Sequence, residues 1–277
     1  MGKIARTWSL MADCLQVLKE EKSLLLLPLI SCLCCMLLMA SFAIPFFITG
    51  AWHMHGHQAA PTHSLIYYGV LFVFYACNYF IIIFFNAAII SCAATRMTGG
   101  TPTIGDGLRT AASRLPVIAG WALVSATVGL LLRIIEERSP KLVGQIVAGL
   151  LGMGWTIVSF LVVPILVIEN KGPIAALQES TTLLKRTWGE QIVGNFSFGS
   201  VFFLLMLPAF ALVVAGFYFG GAVVGIICAV LAVLYMIVLS LIQSALQAIF
   251  QTALYLYARD GQVPAGFHED ALSGAWR

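Results

Sequence analysis

Charge is scarce in this 277-residue chain: Asp, Glu, Lys and Arg together make up 10% of it, against 60% hydrophobic residues. None of those charges falls inside the long apolar runs, which excludes the mid-membrane carboxylate that proton relays and ion-coupled transporters use. Polar loops long enough to fold as a soluble domain are missing too, so backbone hydrogen bonding must be satisfied within helices. The seven cysteines (Cys14, Cys32, Cys34, Cys35, Cys77, Cys92 and Cys228) all sit in predicted helices, which gives an outer disulfide framework no support. Cys32, Cys34 and Cys35 read as small hydrophobes of an apolar helix. Also lacking at working spacing are a nucleophile with its base, a zinc-binding His-Glu pair on a helix, a phosphate-cradling glycine loop and paired carboxylates. The chain is therefore not expected to be an enzyme or to carry a resident cofactor.

What is abundant is apolar sequence in runs long enough to cross a bilayer, a crossing that takes roughly 20 residues because each adds about 1.5 Å toward a core of about 30 Å. Six runs qualify: Ser23 to Ile48, Ser64 to Thr95, Leu115 to Leu132, Leu142 to Ile168, Ile192 to Phe217 and Ala222 to Leu256. The first exceeds the apolar part of a cleaved signal peptide. The last is too long for a perpendicular crossing, so it is expected to tilt or to continue beyond the headgroups. Pro45, Pro164 and Pro208 each remove a helical hydrogen bond and predict kinks.

The fifteen Lys and Arg residues sort these runs by side. Lys3, Arg6, Lys19 and Lys22, then Arg96, Arg109 and Arg114, then Lys171, Lys185 and Arg186, then Arg259 and Arg277 fall on one side; Arg133, Arg138 and Lys141 fall on the other. Cytoplasmic retention of positive charge places both termini inside, giving a multi-pass protein of the inner (plasma) membrane. The net charge of +3 then reports orientation and gives no reason to expect nucleic acid as a partner.

Ahead of the first run, Ile4, Trp8, Met11, Leu15 and Leu18 keep helical spacing against Lys3, Arg6, Asp13, Gln16, Lys19 and Glu20, an amphipathic pattern. It returns before the fifth run as Ile174, Leu177, Leu184 and Trp188 against Gln178, Glu179, Lys185 and Arg186, and before the third as Ile104, Leu108, Ala112 and Leu115 with Asp106, Arg109 and Arg114. The expected fold is all-α, a polytopic membrane bundle of six transmembrane helices with three cytoplasmic interfacial amphipathic helices, built as three parallel units of interfacial helix plus hairpin. One integral membrane domain covers residues 1–277. It comprises an N-terminal amphipathic helix over 1–22, a six-span bundle over 23–258 with interfacial helices near 103–114 and 173–189, and a cytoplasmic tail over 259–277. These helices either anchor the bundle to the lipid bilayer or form a collar for a membrane or cytoplasmic protein partner.

Two constellations are candidates for chemistry. His53, His55 and His57 alternate in the first outer loop, which reads first as a solvated, pH-responsive loop; in an extended chain they would also turn to one side, where imidazoles suit zinc, copper or nickel. Ser240, Gln243, Ser244, Gln247 and Gln251 recur at three- and four-residue spacing in the last run, and the second run adds Asn78 and Asn86. Polar groups in lipid seek partners, so this face reads as interhelical hydrogen bonding or as a polar conduit.

Several strings carry a likeness to known proteins: Trp8-Ser9-Leu10, Trp121-Ala122-Leu123-Val124, Gly152 with Trp155, Pro164-Ile165-Leu166-Val167 with Glu169, and Ala176-Leu177 with Ser180 leading to Thr187-Trp188-Gly189-Glu190. Over about Ile4 to Gly194 the chain resembles a family of uncharacterised prokaryotic six-helix integral membrane proteins. The stretch from Ala176 to Trp188 is also similar to an interfacial helix in the membrane domain attached to some glycerophosphodiester phosphodiesterases. The resemblance implies a fold and an address, no activity, and Pro164, Glu169, Trp188, Gly189 and Glu190 as a shared cytoplasmic feature. The resulting expectation is a non-enzymatic scaffold or accessory protein, with a channel or facilitator for a small solute as the alternative.

Overall fold

In the computed structural model, residues 3–48, 65–186, 188–261 and 263–267 are described. Every regular element among them is a helix, as a chain this apolar requires if its amides are to be satisfied locally. The order is α1 (Lys3–Glu20), a 3-10 turn (Lys22–Leu25), α2 (Leu26–Ile48), α3 (Leu65–Met97), α4 (Ile104–Ser113), α5 (Leu115–Arg138), α6 (Lys141–Val158), α7 (Val162–Ile168), α8 (Pro173–Arg186) and α9 (Trp188–Asp260). Five segments are long and apolar enough to cross a membrane: Lys22–Ile44, Tyr67–Met97, Leu115–Arg138, Leu142–Ile168 and Val201–Asp260.

The fourth segment departs from the expected continuous helix. Pro164 has no N–H to donate to Phe160, and its ring would press on that carbonyl, so the chain leaves the helix at residues 159–161. It restarts at Val162, which puts Pro164 in the first turn of α7, where a missing donor costs nothing. Pro45 and Pro208, by contrast, are passed without a helix break.

Helix α9 contains two arms. Gly221 takes φ 69° and ψ −169°, outside the helical region, and the chain reverses there. Tyr235, thirty residues along from Leu205, donates its hydroxyl to the Leu205 carbonyl at 2.9 Å. A Cβ built on Gly216 would lie 2.7 Å from Cβ of Cys228, so the arms approach backbone to side chain with no room for a methyl.

By its contacts the chain divides into two compact units, one of residues 1–28, 92–102 and 183–277, the other of residues 29–91 and 103–182. In the first, α1 packs on α9. Leu10, Met11, Cys14, Val17 and Leu18 form the buried face of α1, and the stretch of α9 from Ala245 to Leu256 is buried apart from Gln247. Above Ala245 the same arm is largely exposed, with Val223, Ile226, Val230 and Val238 open.

In the second unit α5 and α6 form a close hairpin. A Cβ on Gly144 would come within 2.9 Å of the Glu136 carbonyl, and Ala148 and Gly152 continue that small-residue ridge at four-residue spacing. Ahead of it, α4 opens with a reciprocal cap. Thr103 Oγ1 accepts from the Asp106 amide at 3.2 Å, and Asp106 Oδ2 accepts from the Thr103 amide at 3.2 Å. Burial in this unit concentrates on α7, on Ala87 to Ile90 of α3, and on Ile118, Trp121 and Ala122 of α5.

The α9 reversal is tested by steric load at its closest point. Gly216→Leu is expected to lower the melting temperature of the detergent-purified protein by several degrees. Gly149→Ala, inside α6 at a position with open space around it, is expected to hold or raise the melting temperature.

Candidate functional site

The break in the fourth apolar segment leaves two backbone groups that a continuous helix would have paired. Ser180 of α8, itself fully buried, meets both. Its Oγ donates to the Val158 carbonyl at 2.7 Å and accepts from the Leu161 amide at 3.3 Å, closing the last turn of α6 and the start of α7. Ala176, one turn earlier on the same face of α8, is likewise fully buried.

The connection that brings α8 back to this break is short. After α7, Asn170 takes φ 56°, a left-handed conformation Asn tolerates better than most residues, and Pro173 starts α8 with its ring against Gly120 of α5. Lys171 Nζ bridges two carboxylates across this turn, lying 2.5 Å from Glu169 Oε2 and 2.5 Å from Glu179 Oε2. Hydrogen bonds donated by its ammonium to Glu169 and then Glu179 raise the Lys171 pKa above its ordinary value. Trp121 of α5 and Trp155 of α6 stack with ring centroids 5.4 Å apart. The cluster holds a helix break, an ion-paired turn and a buried hydroxyl fully engaged with backbone.

Of the five residues of the expected cytoplasmic feature, Pro164 and Glu169 belong to this cluster. Trp188, Gly189 and Glu190 form the first turn of α9, in the other unit, and their side chains lie outside what is described. Glu169 pairs with Lys171, two residues along. Ser180 appeared in the sequence only as part of a familiar string. Its role as the bridge across the break depends on a contact about twenty positions away, and no local pattern marks it. Glu179 was placed on the polar arc of α8 with no partner assigned, because only the turn at Asn170 brings Lys171 to it. Of the apolar arc expected on α8, Leu184 is buried and Leu177 half-buried, but Ile174 is exposed, and the small residues Ala176 and Ser180 complete the buried face.

The polar residues of the last arm are not uniformly placed. Ser240 and Ser244 are exposed, and the Ser240 hydroxyl donates to its own helix at Met236. Gln243 and Gln247 are half-buried, and Gln251 is buried with no donor to its Oε1 among the described residues. Asn78 and Asn86 are half-buried on α3 and belong to the other unit. His53, His55 and His57 lie outside the described residues; among those described, no three His, Cys, Asp or Glu side chains are grouped to hold a metal.

A second tether joins α1 to α3 in the first unit. Arg96 reaches Glu20 at 2.6 Å and Glu21 at 4.0 Å. The Arg96 hydrogen bond, helped by Gln16, holds the Glu20 carboxyl below the usual carboxylate range. The amide of Ala265 donates to the carbonyl of Met97 at 3.2 Å, so the segment after α9 closes on the same corner.

The model of a family of unknown function, DUF6159, matches residues 65–267 of the chain. It begins later than the resemblance read from the sequence and runs on through both arms of α9. No curated protein and no solved structure matches.

Two outcomes check the cluster. Ser180→Ala strands a buried carbonyl and a buried amide, and is expected to cost about 1–3 kcal/mol in unfolding measurements in detergent. For Lys171 the folded pKa lies above the ordinary 10.5, so its contribution is complete below that value and is lost as pH rises through the higher folded value. Melting temperature should therefore fall at strongly alkaline pH in the wild type, and Lys171→Met should remove that component of the fall.

Proposed function

The chain belongs to DUF6159, a family of unknown function, and from that premise we propose that it is a six-span inner-membrane protein that acts as a non-enzymatic scaffold for a protein partner. The count of six follows if the Val201–Asp260 segment crosses twice, once on each side of the Gly221 reversal. Both termini are then cytoplasmic, in keeping with the sorting of Lys and Arg. The earlier likeness to prokaryotic six-helix membrane proteins fits this address. The similarity of α8 to a phosphodiesterase-attached domain brings no activity with it.

The observation that carries the scaffold reading is the way α8 is held. Its inner face is locked by Ala176 and Ser180, and Glu179 is committed to Lys171. Ile174, 58% exposed, and the exposed Gln178, Thr182 and Lys185 are left on a helix that cannot rearrange to cover them. A fixed helix that exposes an apolar residue one turn from Gln178, with Thr182 and Lys185 further along, leaves that surface open to a protein contact. Placed at the cytoplasmic side, α1, α4 and α8 would supply the collar.

The conduit reading draws less support. From Ala222 to Asp260 the second arm is about 58 Å long at roughly 1.5 Å per residue, about twice the hydrocarbon thickness of roughly 30 Å. If the exposed part above Ala245 is the part that meets lipid, Gln247 and Gln251 lie beyond it, in the stretch that is buried in the unit containing α1. Interhelical packing accounts for them there.

Affinity purification from native membranes tests the scaffold. Wild type is expected to bring down one protein at near-stoichiometric yield, and Ile174→Glu to lose it while keeping its own melting temperature. Repeated recovery of the wild-type chain alone would overturn the reading. A reporter fused after Arg277 should be active in the cytoplasm only.

A further inference from the structure

At the end of the second unit opposite α7 and α8, helices α3, α5 and α6 enclose an open cleft of about 490 Å³. Its size falls within the roughly 300–1,000 Å³ of small-molecule sites. Tyr75 and Tyr79 of α3 line it, with Arg133 and Glu136 of α5 and Gln145 and Gly149 of α6. On the membrane placement proposed above, which this inference rests on, the cleft faces the outer leaflet. Arg133 lies five residues before the end of α5 and Gln145 four after the start of α6, so both sit about 6–8 Å inside the helix ends at roughly 1.5 Å per residue, the depth of lipid headgroups.

The charges of the cleft are unequally engaged. Glu137 is taken up: its Oε1 accepts from Arg133 Nε at 2.7 Å and its Oε2 from the Tyr68 hydroxyl at 3.2 Å. Glu136 has a single longer contact, 3.4 Å to Arg133 Nη1. Arg133 is thus fixed by Glu137 and keeps further guanidinium donors, while Glu136 keeps acceptor capacity beside it. The Tyr75 and Tyr79 rings lie 6.4 Å apart, and no hydrogen bond among the described residues engages either hydroxyl. A cleft presenting one guanidinium and one carboxylate side by side is complementary to a small zwitterion. Its aromatic floor and the exposed apolar residues Ile146 and Leu150 on α6 suit an amphiphile that extends toward lipid.

We propose that this cleft binds the headgroup of a phosphoethanolamine-type phospholipid. The phosphate lies on Arg133, and the primary ammonium donates to Glu136 and to the Gln145 carbonyl oxygen. A primary ammonium is favoured over a quaternary one because the acceptors here reward N–H donation. A purely anionic headgroup offers Glu136 no ammonium and sets its own charge beside that carboxylate.

Native mass spectrometry of the purified full chain in mild detergent tests this, with short-chain phosphatidylethanolamine, phosphatidylcholine and phosphatidylglycerol as separate titrants and glycerophosphoethanolamine as the acyl-free control. One phosphatidylethanolamine should bind at least about tenfold more tightly than any of the other three, the scale of one charge-assisted hydrogen bond. Glu136→Gln should remove that preference. Gln145→Ala, at an exposed position that leaves folding intact, should weaken phosphatidylethanolamine by about threefold, the scale of a weaker single hydrogen bond. Equal affinity for the three lipids, or wild-type binding by both variants, overturns the proposal. Binding of glycerophosphoethanolamine as tight as that of the lipid overturns it in favour of a soluble zwitterion. Failure of the membrane reading shows separately, as recovery of the chain in the soluble fraction without detergent.

Discussion

A backbone amide or carbonyl in an apolar surrounding must find a partner inside the protein, and that requirement governs this structure. Helices meet it along their length, so the points of interest are where a helix cannot. At residues 159–161 Pro164 forbids continuation, and a serine from a later helix supplies both missing hydrogen bonds. The buried hydroxyl fixes α8, and the Lys171 turn closes the connection between the two elements. At Gly221 the same requirement is met differently: the helix gives way to a reversal, and the two arms come close enough for the Tyr235 hydroxyl to reach a carbonyl of the opposite arm.

Burial is graded along the long helices. In the first unit the second arm of α9 is exposed through its upper half and buried from Ala245, where α1 lies in the same unit. In the second unit the buried residues of α3 are its later ones, Ala87 to Ile90, and α7 is buried throughout. Long apolar helices that shed their exposure toward one end make that end rigid and leave the other to the surrounding medium.

The helices were legible because an apolar run of sufficient length has one stable form in a bilayer, and the runs around Leu26, Leu65, Leu115 and Val201 show it in composition alone. Pro164 signalled a disturbance but not its size, since a proline can be absorbed, as Pro208 is, or can break the helix. The difference is whether a partner such as Ser180 stands ready to take the orphaned groups. The periodicity of α8 misled for a related reason. Ile174 lies on the arc that spacing marks as apolar, yet the small residues Ala176 and Ser180 are the ones that let α8 approach closely. Spacing rewards large apolar side chains, while close packing selects small ones. The ion pairs divide in the same way. Arg133 and Glu137 are four apart on one helix and visible in the sequence, whereas Arg96 and Glu20 come from helices far apart in the chain.

By itself the sequence determined that this is a helical chain with several membrane-length segments, because hydropathy and length act locally and leave no alternative way to satisfy the backbone. Only the tertiary structure decided where those helices break, which face of α8 is buried, and which residues of α3 and α6 join the α5 charges in one cleft. Each of these depends on a partner many residues away, and the free energy of pairing two distant groups is not written into the neighbourhood of either.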